Sequence, residues 1–257
     1  MSLRMIRRAV ALVFVLIISI VRFWLMRLRG PRTLERRAQW VQETCVQVLR
    51  SMDIRCHVEG DLPTHGLVVA NHLSYLDVVV LSAAMPCFFV AKAEIDKWPY
   101  FGRAARVGGT MFIDRSSFTS AARVACVIGE RLKLAVPVLF FPEGTSTDGT
   151  MLRFHARLFE PAILAGAPIT AASIRYVIAN GASEHELCWY GDEAFGPHLF
   201  RTLDTPGFHA ELRFGEPHVY PHRRVAADKT FAEIAGMRES ACKVEEAQLL
   251  QPAYSHN

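Results

Sequence analysis

An α/β fold is predicted, on three observations. Short apolar runs alternate along the chain with longer stretches of helical periodicity, which argues one layered body rather than separate all-α and all-β domains. Three of those runs end in polar residues: Gly66-Leu67-Val68-Val69-Ala70 in Asn71-His72, Thr110-Met111-Phe112-Ile113 in Asp114-Arg115, and Val136-Pro137-Val138-Leu139-Phe140-Phe141 in Pro142-Glu143-Gly144-Thr145-Ser146-Thr147. Polar groups beyond the C-terminal ends of several strands are where open α/β sheets build sites. At 257 residues the chain is long enough to bury one sizeable core.

The elements follow in order. Ala9 to Val21 carries no charge. As a helix those thirteen residues reach only about 20 Å, short of the roughly 30 Å hydrocarbon core. The apolar character resumes at Phe23-Trp24-Leu25-Met26 after Arg22, which can snorkel to the interface with Trp24 as an aromatic anchor. No small-x-small cleavage site follows, so a signal peptide is disfavoured. Residues 1–30 read as an N-terminal hydrophobic membrane segment, with spanning and surface-lying both open, and 31–257 as the α/β domain. Thr33 to Ser51 has a helical apolar face. Strands are expected near 54–58, 67–70, 88–91, 110–113, 136–141, 169–176, 186–190 and 209–214. Helices are expected at 75–84, 118–134, 157–166 and 229–248. Trp98 and Phe101 read as core residues behind an exposed turn.

Composition narrows the chemistry. The formal charge is +4, and the basic residues are dense only at the start: Arg4, Arg7, Arg8, Arg22, Arg27, Arg29, Arg32, Arg36 and Arg37. That pattern favours an anionic membrane surface and gives no support to a nucleic-acid partner. The six cysteines, at 45, 56, 87, 126, 188 and 242, form no C-x-x-C pair and no zinc-spaced cluster. They read as reduced, mostly buried thiols of a cytosolic compartment. The chain has no P-loop, no G-x-G-x-x-G and no H-E-x-x-H, so no cofactor and no metal is expected.

The segment Asn71-His72-Leu73-Ser74-Tyr75-Leu76-Asp77 carries the most specific signal. An imidazole oriented by a carboxylate is a general base, and with no G-x-S-x-G elbow in the chain it would act directly on a substrate hydroxyl. On one continuous helix, residues five apart point about 140° from each other. His72 and Asp77 therefore meet only if His72 sits on the strand-to-helix turn and Asp77 in the first helical turn. The bland alternative is a capping box, with Ser74 as N-cap and Asp77 its return partner.

These blocks resemble the glycerolipid acyltransferases of the lysophosphatidic acid acyltransferase type. The N-H-x4-D block corresponds to Asn71, His72 and Asp77, the second block to Phe112-Ile113-Asp114-Arg115, F-P-E-G-T to Phe141–Thr145, and the fourth, loosely, to Pro168-Ile169 onward. The resemblance covers roughly residues 60 to 220. It implies a mixed central sheet flanked by helices, with an N-terminal helical membrane element. It also implies transfer of a fatty acyl group from acyl-CoA or acyl carrier protein to a lysolipid hydroxyl at the cytoplasmic face of the inner membrane. His72 and Asp77 would be catalytic. Arg115 would bind an anionic head group or the donor's phosphates, or else pair with an acid at the surface. Glu143 would orient the acceptor or brace its turn, Gly144 would allow close approach or positive φ, and Thr145 would donate a hydrogen bond. The region of Trp98 and Phe101 would help line the acyl-chain path. The expected acceptor is 1-acylglycerol-3-phosphate. Ser146 stands where the family commonly has arginine, which keeps lyso-ornithine lipid as an alternative. A non-catalytic lipid-binding membrane protein is the alternative of another class.

Overall fold

The computed structural model describes residues 2–114 and 116–249. Two helices, α1 (Leu3–Leu25) and α2 (Leu34–Ser51), precede the sheet. The strands are β1 (Arg55–Glu59), β2 (Leu67–Ala70), β3 (Phe88–Lys92), β4 (Met111–Ile113), β5 (Val138–Phe140), β6 (Ile169–Ile178) and β7 (Phe208–Phe214). The remaining helices are α3 (Leu76–Ala84), α4 (Phe101–Gly108), α5 (Phe118–Arg131), α6 (Glu160–Ala165), α7 (Phe195–Asp204) and α8 (Arg223–Leu249).

The sheet runs in the order β1-β7-β6-β2-β5-β3-β4. All neighbours are parallel except β6 and β7, so the expected mixed sheet is observed. The central strands β2 and β5 are wholly buried and apolar at every position, as strands covered on both faces must be. One core contains Val68, Ala70, Leu139, Ile174 and Tyr176 with Leu49, Val80 and Leu203 of the helices. The other contains Leu67, Val69, Val138 and Phe140 with Val124, Ile128, Ala162 and Ile234. Strand alternation thus sends successive residues to two helical layers. Edge strand β1 is largely exposed.

Several expectations need correction. Residues 186–190 form no strand. Glu184–Leu187 is a 3-10 turn, and the Trp189 amide then donates to the Leu73 carbonyl at 2.9 Å instead of joining a ladder. Helix α7 was not among the expected helices, and it carries Gly196-Pro197 in its first turn. Proline is tolerated in a first helical turn, where its missing N–H would have no partner anyway. Helix α4 is also new. The 157–166 stretch divides into a 3-10 turn, Ala156–Phe159, and then α6. The first helix begins six residues earlier than its uncharged run, so Arg4, Arg7 and Arg8 lie within it. Cys45, Cys56, Cys87, Cys126 and Cys188 are free thiols; the side chain of Cys242 lies outside those described.

Helix α1 is long and apolar enough to cross a membrane by length and composition, but it is docked along its length. Near its start, buried Arg8 donates to the Leu203 and Thr205 carbonyls at 3.1 and 2.7 Å. Further on, the Trp40 indole of α2 donates to the Ser19 carbonyl at 3.0 Å. The outward face exposes Val10, Phe14, Ile17, Val21 and Trp24. The arginines expected on a lipid surface are partly committed to acids: Arg4 to Asp204, Arg7 and Arg8 to Asp53, and Arg22 to Glu43.

Candidate active site

Strand β2 ends at Ala70, and the next two residues are fixed by the strands beside it. The Asn71 amide continues the pairing to β6, donating from Nδ2 to the Ile174 carbonyl at 3.0 Å and accepting the Ile174 amide at 2.8 Å. The His72 amide donates to Glu143 Oε1 at 2.8 Å, which ties β2 to the turn after β5. The His72 ring stacks on Phe141 with centroids 3.9 Å apart. The imidazole is thus held against a flat apolar face on a strand-to-helix turn.

Asp77 lies in the first turn of α3 and is wholly buried. His72 Nδ1–H donates to its Oδ2 at 2.7 Å. The same oxygen accepts the Leu73 and Ser74 amides at 2.6 and 3.0 Å. Oδ1 accepts the Tyr176 hydroxyl at 2.6 Å. Of the two readings of the S-x-x-D spacing, the pair with His72 is formed and the capping box only by half, since Tyr75 and not Ser74 is the N-cap and no side chain caps the helix. The bond to the Ser74 amide is the return half of a capping box, and the bond to His72 is the orienting half of a base pair. Ser74 Oγ accepts only the Leu76 amide, at 3.4 Å. Because the carboxylate can only accept, Nδ1 carries the proton and Nε2 is left as the basic nitrogen.

Glu143 is buried, and its two oxygens brace the turn. Oε2 accepts the Leu152 amide at 2.7 Å while Oε1 holds His72. Burial, the largest effect, raises its pKa above the ordinary glutamate value, and the two backbone donors pull the other way. Gly144 has φ +84°, a conformation that favours glycine. Its amide donates to the Phe141 carbonyl at 3.1 Å. Thr145 is exposed at the mouth of the site. The Ser146 hydroxyl donates to the Trp189 carbonyl.

Asp114 of the second block does not join this group. Strand β3 separates β4 from β5, and exposed Asp114 caps its own loop by accepting from the Ser116 amide at 3.0 Å and the Ser116 hydroxyl at 2.6 Å. Arg115 lies outside the described residues. Tyr176 was missed. Its only signal was a tyrosine in phase with Ile174 and Ile178 on a buried strand, where the hydroxyl needs a partner.

His72, Gly144, Thr145 and Ser146 line one end of a cavity of about 440 Å³ that continues between α1, α2, α3 and α4. Its wall is mostly apolar, with Leu12, Leu16, Val41, Val48, Val79 and Phe89 among the lining residues. Trp98 and Phe101 line it as well, and Phe101 is 42% exposed, so these two are not the core residues expected. Trp98 and Phe101 each meet Phe195 of α7, with ring centroids at 5.1 and 5.7 Å. A base at the head of a long apolar cavity can deprotonate a polar group beside a bound hydrocarbon chain.

The family model described as Acyltransferase matches residues 53–175. The chain is 38% identical over 151 residues to a 1-acyl-sn-glycerol-3-phosphate acyltransferase of Neisseria meningitidis serogroup B, covering 57% of this chain and 59% of that protein. It is 30% identical over 234 residues to a lyso-ornithine lipid O-acyltransferase of Rhizobium meliloti, covering 86% of this chain and 78% of that protein. The chain spans less than two thirds of the length of the first curated relatives it matches, 59% and 54% for two of them. The crystal structure of the 1-acyl-sn-glycerophosphate (LPA) acyltransferase PlsC from Thermotoga maritima superposes with a TM-score of 0.65. That match is 23% identical and covers 93% of this chain and 98% of that one.

Proposed function

The chain belongs to the acyltransferase family, and from that premise we propose that it moves a fatty acyl group from a thioester donor to the free hydroxyl of a lysolipid. The observation that carries the reading is the buried Asp77–His72 pair at the head of the apolar cavity. His72 Nε2 removes the hydroxyl proton, and the alkoxide attacks the thioester carbonyl. The C–S bond breaks, and the imidazolium returns its proton to the departing thiolate. Asp77 stabilises the imidazolium between these steps. No acyl-enzyme forms. The acyl chain lies in the apolar cavity, and Thr145 at its mouth supplies the donors for the tetrahedral oxyanion. Glu143 holds the turn that aligns His72. Arg115 serves the anionic part of donor or acceptor. The donor is acyl-CoA or acyl carrier protein.

The enzyme works on the cytoplasmic face of the membrane, with the outer side of α1 in the lipid interface. A helix pinned to the domain at Arg8 and at Ser19 suits lying on the surface rather than spanning. We take residues 1–30 as the membrane segment and 31–257 as the domain that carries the chemistry.

1-Acylglycerol-3-phosphate is the first acceptor reading, supported by two relatives of that name that are 38% and 39% identical to this chain. A specific observation favours lyso-ornithine lipid as the second. Ser146 stands where the family resemblance leads one to expect an arginine, and its hydroxyl is turned to the Trp189 carbonyl. The relative matched over 78% of its length also carries that name. A side-by-side assay of both lysolipids with wild type and Ser146→Arg tests the choice. Transfer to lysophosphatidic acid in wild type is expected. Robust transfer to lyso-ornithine lipid with none to lysophosphatidic acid reverses the assignment, and release of free thiol with neither acceptor removes both.

A further inference from the structure

We propose that Tyr176 is a positioning residue of the His72–Asp77 pair, its hydroxyl setting how strongly Asp77 holds the imidazolium. The inference rests on His72 being the base. The two oxygens of Asp77 have different partners. Oδ2 meets the imidazole and two backbone amides, whereas Oδ1 accepts the Tyr176 hydroxyl at 2.6 Å. A hydroxyl bonded to a buried carboxylate is a short, charge-assisted contact. Burial, and then the Asp77 charge, push the phenol well above its ordinary pKa, so the proton stays on tyrosine. A donor on Oδ1 draws charge from the carboxylate and weakens its pull on the proton at Nδ1.

Tyr176 is held where it can do this. Its amide donates to Glu184 Oε1 at 2.7 Å. Arg238 of α8 donates to Glu184 Oε2 at 2.7 Å and to the Ile174 carbonyl at 2.6 Å. Asn71 holds the same Ile174 from the end of β2. The stretch Ile174–Tyr176 is thus fixed from the C-terminal helix on one side and from the histidine's own strand on the other. The phenol therefore meets Asp77 in a single geometry. The titratable and charged groups around the pair are Glu143 from the turn after β5, Glu184 and Cys188 from the connection after β6, and Arg238 from α8. Of these and Tyr176, Tyr176 is the one bonded to Oδ1.

The test uses the full chain, with ¹⁵N-histidine NMR to follow the His72 imidazole and steady-state transfer to follow turnover. In Tyr176→Phe the imidazole should titrate at higher pH, and the acid limb of the kcat profile should move up with it. The kcat should fall about ten-fold, the size expected for one lost bond to a charged group, with KM for both substrates within about two-fold of wild type on the same scale. Trifluorotyrosine at 176 keeps the shape and is a stronger donor, so both readouts should move the other way. It also carries the test alone if the phenylalanine variant does not fold. An imidazole titration that is the same in wild type and either variant overturns the proposal. So does a lower kcat with an unmoved acid limb, which marks Tyr176 as packing only. Wild type that transfers no acyl group, while its imidazole responds as expected, sinks the proposed function and not this inference.

Discussion

The chemistry of this chain turns on single atoms. Asp77 Oδ2 accepts three N–H donors, one of which is the imidazole. In Asp77→Asn those donors fix the amide oxygen at the Oδ2 position, and the new NH₂ faces the Tyr176 oxygen. The Nδ1–H tautomer is kept, but the charge is lost and the buried Tyr176 hydroxyl loses its acceptor at the Oδ1 position. We therefore expect His72→Ala to abolish detectable transfer and Asp77→Asn to lower it by about 10²–10⁴, both with unchanged circular dichroism. Folded variants that retain more than half the activity would exclude this pair as the base. Glu143 gives a separate, structural prediction. Glutamine has one acceptor oxygen for the two amides of His72 and Leu152, so Glu143→Gln should cost about 1–3 kcal/mol of stability. Burial raises the carboxyl's pKa in the folded state, so folding holds its proton more tightly than the unfolded chain does. The stability it contributes is complete below the ordinary glutamate pKa and is lost as pH rises through the folded value. The gap between wild type and Glu143→Gln in thermal melts should accordingly narrow from the ordinary glutamate pKa upward. A gap that widens would show that the two backbone bonds outweigh burial.

Among the elements, α1 has two unlike faces. Leu12 and Leu16 line the cavity, while Val10, Phe14, Ile17 and Val21 point outward and are half or more exposed. The arginines beside it are largely answered by Asp53, Asp204 and Glu43. The exposed pairs among them, those of Arg4, Arg7 and Arg22, are worth little to the fold, yet they offset the charge available to anionic lipid. The apolar face should therefore dominate membrane attachment. Replacing those four outward residues together by glutamine, a good helix former, should lower partitioning into anionic vesicles by at least about ten-fold. Solution melting should be little changed. Equal pelleting of the variant and wild type with vesicles would rule out this face as the anchor.

At the scale of the whole molecule, the proposed attachment and the proposed catalysis share a wall. The cavity that begins at His72 is closed on one side by α1 and α2. Removing the residues before Thr33 should therefore do more than release the protein from lipid. It should open the cavity, and transfer of long acyl chains should fall by about ten-fold or more even in detergent micelles, with short chains less affected. The same loss for long and short chains would argue that α1 serves attachment alone.

The sheet's central strands and the alternation with helices were legible in the residues alone, and so was the condition, a strand-to-helix turn at His72, under which His72 and Asp77 could meet. These are local facts: continuous apolar runs are buried on both faces, and a five-residue spacing closes only across such a turn. The sequence could not place residues whose partners are distant along the chain. Tyr176 reaches Asp77 across 99 positions, and Arg8 finds its carbonyls at 203 and 205. Helix α7, which carries Gly196-Pro197 in its first turn, is packed by α1 and by the aromatic rings of Trp98 and Trp189. The residues around Trp98 read as core because their apolar character is visible. Only the packing of four helices leaves a cavity for them to line. Hydrophobicity and periodicity are properties of a segment, whereas a hydrogen-bond partner or an unfilled volume is a property of what the rest of the chain brings beside it.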